Sequence, residues 1–226
     1  YAGWIRKLSG AEPIQINGQE TVIRTRYNYA MFTGQENARA FDFVLEQARQ
    51  WYPENQIEVD EYPYTDAEHS YTWKNLIVTL PGKTLPGEVV VLSAHLDSVV
   101  VKEGNALEAA PGADDNGTGS AALLEAARLF SRYPFERTIR LIWFTGEESN
   151  LAGSQAYVQD HSTADIHAMI NMDMFGYDSD NDRCFELHVG TITGADAVGQ
   201  AFLQTIQEQG LDLHEDYLTQ QATDRS

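Results

Sequence analysis

Glu88-Val89-Val90-Val91-Leu92-Ser93-Ala94 runs without a break into His95-Leu96-Asp97-Ser98. The run Val89 to Leu92 is β-branched and apolar on both faces, which predicts a strand in the middle of a sheet covered on both sides. A histidine and an aspartate follow just past its carboxyl end, where open α/β sheets bind ligands. Residues two apart on an extended segment point the same way, so the Asp97 carboxylate is placed to accept a hydrogen bond from His95 and hold its imidazole in one tautomer.

Outward from this strand, helix and strand patterns alternate. Upstream, Phe41, Val44, Leu45, Ala48 and Trp51 recur at helical spacing over Ala38–Trp51, which ends before Pro53. Short β-branched or alternating runs follow at Ile57–Tyr62 and Asn75–Leu80. Downstream, Ala121–Phe130 is rich in strong helix formers, and Thr138–Phe144 reads as a second buried strand. A helix near Ala152–Gln159, strands at His167–Met172 and Phe185–Val189, and a helix at Ala195–Gln209 closed by Gly210 complete the series. The stretch up to Tyr29 is mixed in pattern. Such alternation implies an α/β fold: a three-layer sandwich with a mostly parallel, mixed central β-sheet covered by helices on both faces. No repeat, low-complexity tract or linker divides residues 1–226, so one domain is the expectation.

Bulk composition narrows the function classes. With 226 residues, 42% of them apolar and 22% charged, the chain can bury a sizeable core. The 34 acidic residues outnumber the 15 basic ones, giving a formal charge of −19 that repels phosphate backbones and anionic lipid surfaces. Neither nucleic acid nor membrane is therefore an expected partner, and a monomer is the default state. No apolar run approaches the roughly 20 residues that span a bilayer, and no signal-peptide pattern opens the sequence, so Tyr1 reads as the start of a trimmed or mature chain. A single cysteine, Cys184, cannot form an internal disulfide.

Three further segments carry chemistry-bearing side chains. Pro111-Gly112-Ala113-Asp114-Asp115-Asn116-Gly117-Thr118-Gly119 places paired carboxylates in a glycine-rich loop directly before a helix. Thr145-Gly146-Glu147-Glu148 follows the strand Thr138–Phe144, and Asp173 follows the strand His167–Met172. Taken singly, each has a plain rival: a structural histidine at a strand end, an Asp115 or Asn116 helix cap, a solvated Glu-Glu helix start, a capping Asp173. Together, three buried strands present histidine or carboxylate at one sheet edge, with an acidic loop between the first two. Adjacent acids diverge, so one glutamate can ligate a metal while the other carries a proton. Imidazole plus carboxylate without thiolate suits a hydrolytic zinc pair or, less well, manganese or cobalt.

These four motifs, in this order and spacing, resemble the zinc-ligand motifs of the secreted bacterial leucyl-type di-zinc aminopeptidases, whose fold is related to that of glutaminyl cyclases. The resemblance runs from about Arg26 to the end and is strongest between Val89 and Gly176. It implies a zinc-exopeptidase-like fold and a secreted or periplasmic enzyme that hydrolyses N-terminal, leucine-like residues from peptide substrates. It also implies two zinc ions, with His95, Asp115, Glu148 and Asp173 as ligands, Asp115 bridging, Glu147 as catalytic base and a cis peptide bond after Asp115. Alternatives are a single-zinc glutaminyl cyclase-like transferase, a carboxypeptidase or dipeptidase of the same superfamily, and a metal-free binding protein on this fold.

Two motifs stand outside this set. Asp178-Ser179-Asp180-Asn181-Asp182 has the spaced acids of a calcium loop but lacks the later glycine and bidentate glutamate, and reads as a solvated turn. His188 should point away from the face that Phe185, Leu187 and Val189 share. The resemblance places a fifth ligand, a histidine in a Ser-Asp-His element, beyond Thr223-Asp224-Arg225-Ser226, so the chain reads as a catalytic domain lacking its C-terminal part. By itself it is expected to bind at most one zinc tightly and to be nearly inactive, with the second zinc and activity returning together when the downstream segment is present. Zinc titration of the two forms measures this.

Overall fold

The structure, a computed structural model, describes residues 1–100 and 104–219. The ending Thr223–Ser226, and residues 101–103 of the acidic loop, lie outside the described residues. The described chain divides into two compact units, 1–174 and 175 onward.

The first unit is built on a five-stranded mixed sheet of β3 (Ile57–Thr65), β4 (Ser70–Leu80), β5 (Leu85–His95), β6 (Arg137–Phe144) and β7 (Ile166–Asn171), in the order β3-β4-β6-β5-β7. Pairing is antiparallel on the β3-β4-β6 side and parallel across β6-β5-β7. Parallel strands need crossover connections, and the helices supply them. Helix α4 (Gly117–Phe130) links β5 to β6, and α5 (Ala152–Asp160) links β6 to β7.

Both faces of the sheet are buried, as the apolar run in β5 predicts. Val90, Leu92 and Ala94 face a large core with Leu76, Val78, Leu141 and Trp143, covered by Leu8 of α1 (Ala2–Leu8), by Phe43, Val44 and Ala48 of α3 (Ala40–Trp51), and by Leu123, Leu124 and Ala127 of α4. Val89 and Val91 face the opposite side, with Ile77, Ile142, Phe144 and Tyr157 of α5. The mixed N-terminal pattern resolves into α1, a hairpin of β1 (Ile14–Ile16) and β2 (Gln19–Thr21), and the short α2 (Asn28–Met31). Asn17 and Gly18, both at positive φ, make the hairpin's two-residue turn.

The second unit is a β-α-β element. Strand β8 (Cys184–Val189) pairs in parallel with β9 (His214–Thr219), joined through α6 (Ala195–Glu208). Phe185 and Leu187 are half-buried and Val189 buried on one face, while His188 is exposed on the other beside Glu186. Strand β9 was not expected: His-Glu-Asp-Tyr-Leu-Thr has no apolar alternation, and pairing to β8 makes it a strand. Cys184 is exposed and free, and Asp178, Asp180 and Asp182 lie on an exposed stretch. Among the described residues no helix is long and apolar enough to cross a membrane.

One buried polar side chain ties the sheet to α5. The fully buried Asn75 donates to Asp60 Oδ2 at 3.0 Å and to the Gly153 carbonyl at 2.9 Å, and accepts the Thr145 N–H at 3.1 Å. Asn75→Ala leaves the Gly153 carbonyl and the Thr145 N–H buried without their partner, at a cost of about 1–3 kcal/mol each. We expect a total loss of about 2–6 kcal/mol, read from a lowered urea midpoint at unchanged slope.

Candidate functional site

Strand register creates the site. Ala94 lies opposite Trp143 and His95 opposite Phe144, while Ser93 lies opposite Asn171 on the other side. The three parallel strands therefore end almost flush. His95, the Thr145–Glu148 turn and Asp173 leave the sheet at one edge, and the segment before α4 brings Asp115 to His95 there.

The peptide bond between Asp115 and Asn116 is cis, as the resemblance implies. Of the two candidate caps, Asn116 takes the role: its Oδ1 accepts the Gly119 N–H at 2.8 Å, and its Nδ2 donates to the Met172 carbonyl at 2.9 Å. Asp115 instead turns its carboxylate toward His95. His95 Nε2 lies 3.2 Å from Asp115 Oδ1, 3.3 Å from Asp173 Oδ1 and 3.9 Å from Glu147 Oε2. Ligand atoms of His95, Asp115 and Asp173 all lie within 4.8 Å of one another, close enough to share one cation.

Asp97 differs from the expectation. His95 Nδ1 lies 3.2 Å from the Asp97 main-chain carbonyl, whereas the nearer carboxylate oxygen is 3.6 Å away. The carboxylate instead accepts the Glu147 N–H through Oδ1 and the Glu148 N–H through Oδ2, each at 3.2 Å. The start of the one-turn 3-10 helix Glu147–Ser149 presents main-chain N–H groups with no intrahelical partner, and these win the carboxylate. Asp97 thus orients the imidazole through its backbone and anchors the glutamate turn through its side chain. Gly146 begins that turn at φ +70°, and a Cβ there would meet Tyr62 Oη at 2.9 Å and the Trp73 ring at 3.1 Å.

Charge at the site is strongly coupled. Burial alone lowers the pKa of His95, but its hydrogen bonds to Asp115 and Asp173 and the nearby negative charge of the Asp97 carboxylate outweigh that and hold it well above 6.5. Asp115 is held below its ordinary value, chiefly by its hydrogen bond to His95. Glu148 is pushed up to about 7 by burial and by the charges of Asp115 and Asp97. Glu148 is not one of the three residues converging on a single point; it sits on the turn beside Glu147, within the field of Asp115. The four motifs thus meet at one edge, with His95, Asp115 and Asp173 in mutual contact and Glu147 and Glu148 flanking them. Arg26, whose buried guanidinium bonds carbonyls of this loop, has no local signal in the sequence, because one arginine in a mixed stretch carries no period.

With this geometry in view, comparison with known proteins assigns the class. The sequence profile of peptidase family M28 matches residues 75–226, and the chain belongs to that family. Leucine aminopeptidase 1 of Coccidioides posadasii (strain C735) is 35% identical over 184 residues, which cover 76% of this chain and 45% of that protein. The chain thus spans about half the length of the curated relatives it matches. Among solved structures, a zinc aminopeptidase from Bacillus subtilis is 31% identical with a TM-score of 0.53, over 67% of this chain and 36% of the other. Porphyromonas gingivalis glutaminyl cyclase shares the fold at a TM-score of 0.67 and 19% identity, over 97% of this chain and 73% of the other.

The raised Glu148 pKa has a signed consequence for metal-free protein. An acid at 4.5 unfolded and about 7 folded holds its proton longer in the folded state, so stability falls as pH rises from 4.5 through 7. Above 7 the buried charge is fully destabilising. In chelator, Glu148→Gln should therefore raise Tm at pH 8 and change it much less at pH 5; an equal or lower Tm at pH 8 contradicts the assignment.

Proposed function

We propose that this chain carries active-site residues of a zinc aminopeptidase that removes N-terminal residues from peptides. The observation that carries this reading is the convergence of the Asp115 and Asp173 carboxylates on one nitrogen of a nearly buried imidazole, with the Glu147 carboxylate beside them and outside the trio. A cation fits that arrangement: three hard or borderline donors face one point, two of them anionic, and no thiolate is present. His95, Asp115 and Asp173 would hold one zinc, and Asp115 with Glu148 would supply ligands to a second. When bound, zinc supplies Lewis acidity toward a scissile carbonyl.

The remaining work falls to the chain's own groups. Glu147, with a side chain 13% exposed, takes the proton of the attacking water and passes it to the leaving amine. Asp97 holds Glu147 and Glu148 in place by accepting both of their N–H groups, so the base and the ligand keep their divergent directions. Surplus carboxylate at the site suits the positively charged free N-terminus of a peptide, which makes the activity exopeptidic. We further propose apolar, leucine-like residues as the ones removed, peptides as the only macromolecular partners, a monomeric state and an extracellular location.

Hydrolysis of a panel of aminoacyl anilides by the complete protein, with and without chelator, tests the reading. Two bound zincs support the peptidase; one zinc with cyclisation of N-terminal glutamine supports a transferase instead. Glu147→Gln should lower kcat at least 100-fold, on the scale of general acid-base catalysis, at unchanged zinc content. Loss of zinc from that variant would overturn the division of roles between the two glutamates.

A further inference from the structure

Arg26 is 0% exposed, and among the described residues its guanidinium forms no ion pair. Its donors go to main-chain carbonyls. Nε bonds Leu96 O at 2.7 Å; Nη1 bonds Leu8 O at 3.0 Å and Pro111 O at 2.6 Å; Nη2 bonds Gly112 O at 2.8 Å and Asp115 O at 3.4 Å. A guanidinium has five N–H donors, and five carbonyls meet them. Those carbonyls come from three separate segments: the end of α1, the exit of β5 and the loop before α4. Two of them belong to the metal-site backbone itself, namely Leu96 between His95 and Asp97, and Asp115.

The fit around the guanidinium is close. Gly112 sits at φ +42°, and a Cβ there would lie 2.8 Å from Arg26 Nη2 and 2.1 Å from Asp115 O. The neighbouring backbone holds the same segments together. The Arg26 carbonyl accepts the Ser98 N–H at 3.3 Å, Ala110 N–H donates to Arg24 O at 2.9 Å, and Ser98 Oγ donates to Ala110 O at 2.7 Å. Residues 24–26 thus form a brace between the His95–Ser98 exit and the loop that delivers Asp115.

We propose that Arg26 is a positioning residue of the metal site, fixing the distance between His95 and Asp115 by gathering the carbonyls of Leu96, Pro111, Gly112 and Asp115 onto one buried guanidinium. This rests on the zinc-peptidase reading above and deepens it. The cation also belongs where it is. Burial lowers its pKa to about 10, against the opposing charges of Asp97, Asp115 and Glu148, so it stays protonated at neutral pH. A lysine cannot replace the planar fork, because three donors on a point charge cannot reach five carbonyls spread over three segments.

The test uses the complete protein and two readouts: zinc affinity, by competition with a chromogenic chelator, and steady-state kinetics on an aminoacyl anilide. Groups that orient metal ligands are typically worth 10–100-fold in affinity or activity. Arg26→Met should weaken zinc binding and lower kcat at least tenfold each, with KM changed less than threefold, in protein whose circular dichroism matches the wild type. Arg26→Lys should show a smaller loss, at least threefold in both, and decides the matter if Arg26→Met does not fold. A merely structural arginine would lower Tm and leave zinc affinity and kcat of the folded protein untouched; that result overturns the proposal. Wild-type protein that binds zinc but cleaves no anilide refutes the peptidase reading instead, and the zinc affinities then still decide the role of Arg26.

Discussion

Everything at the candidate site depends on the parallel register of β6, β5 and β7. Parallel pairing sends the carboxyl ends of three consecutive core strands to the same edge, and the pairing of His95 with Phe144 and of Ser93 with Asn171 makes those ends nearly level. Only then do residues 95, 115, 147 and 173 come within reach of one another. Strands buried on both faces resist slippage, because a one-residue shift would exchange Val89 and Val91 with Val90 and Leu92 between two differently shaped cores. The hydrophobic sandwich thereby acts as the ruler for the polar edge.

Gathering carboxylates at that edge opposes folding, and the chain carries several devices that offset the repulsion. Asp97 is satisfied by two main-chain N–H groups, the carboxylates of Asp115 and Asp173 share the His95 imidazole, and the Arg26 guanidinium stands behind the loop. Among the described residues Glu148 has no comparable partner, and it holds its proton to about pH 7. A site arranged in this way is poised for a divalent cation: the proton held between His95 and its carboxylates and the proton on Glu148 occupy positions where positive charge is wanted.

Much of the fold was legible. The run Val89 to Leu92 named the central strand, and the alternation of helix and strand predicted the layers. The mixed N-terminal stretch was harder, although Asn17-Gly18 is a hairpin signal that could have been read there. Strand β9 could not be found from His214–Thr219, whose polar residues follow no period; its state comes from its partner β8. At the site, the ligand candidates were visible as residue types just past strand ends, whereas the hydrogen-bond partner of Asp97 was not. Its competing donors, the N–H groups of Glu147 and Glu148, lie fifty residues away in sequence and become neighbours only when β5 and β6 pair.

The sequence by itself therefore determined which residues could do chemistry and on which edge of the sheet they would stand, because strand burial and the position of a residue relative to a strand end are local properties. It also determined the class, through four motifs whose order and spacing are written in the chain. Tertiary structure alone decided which of those side chains touch: that Asn116 rather than Asp115 caps α4, that Asp97 anchors the glutamate turn, and that Arg26 collects the loop carbonyls. These are contacts between segments separated by tens of residues, set by distance and competition among donors and acceptors, and no local pattern encodes the winner.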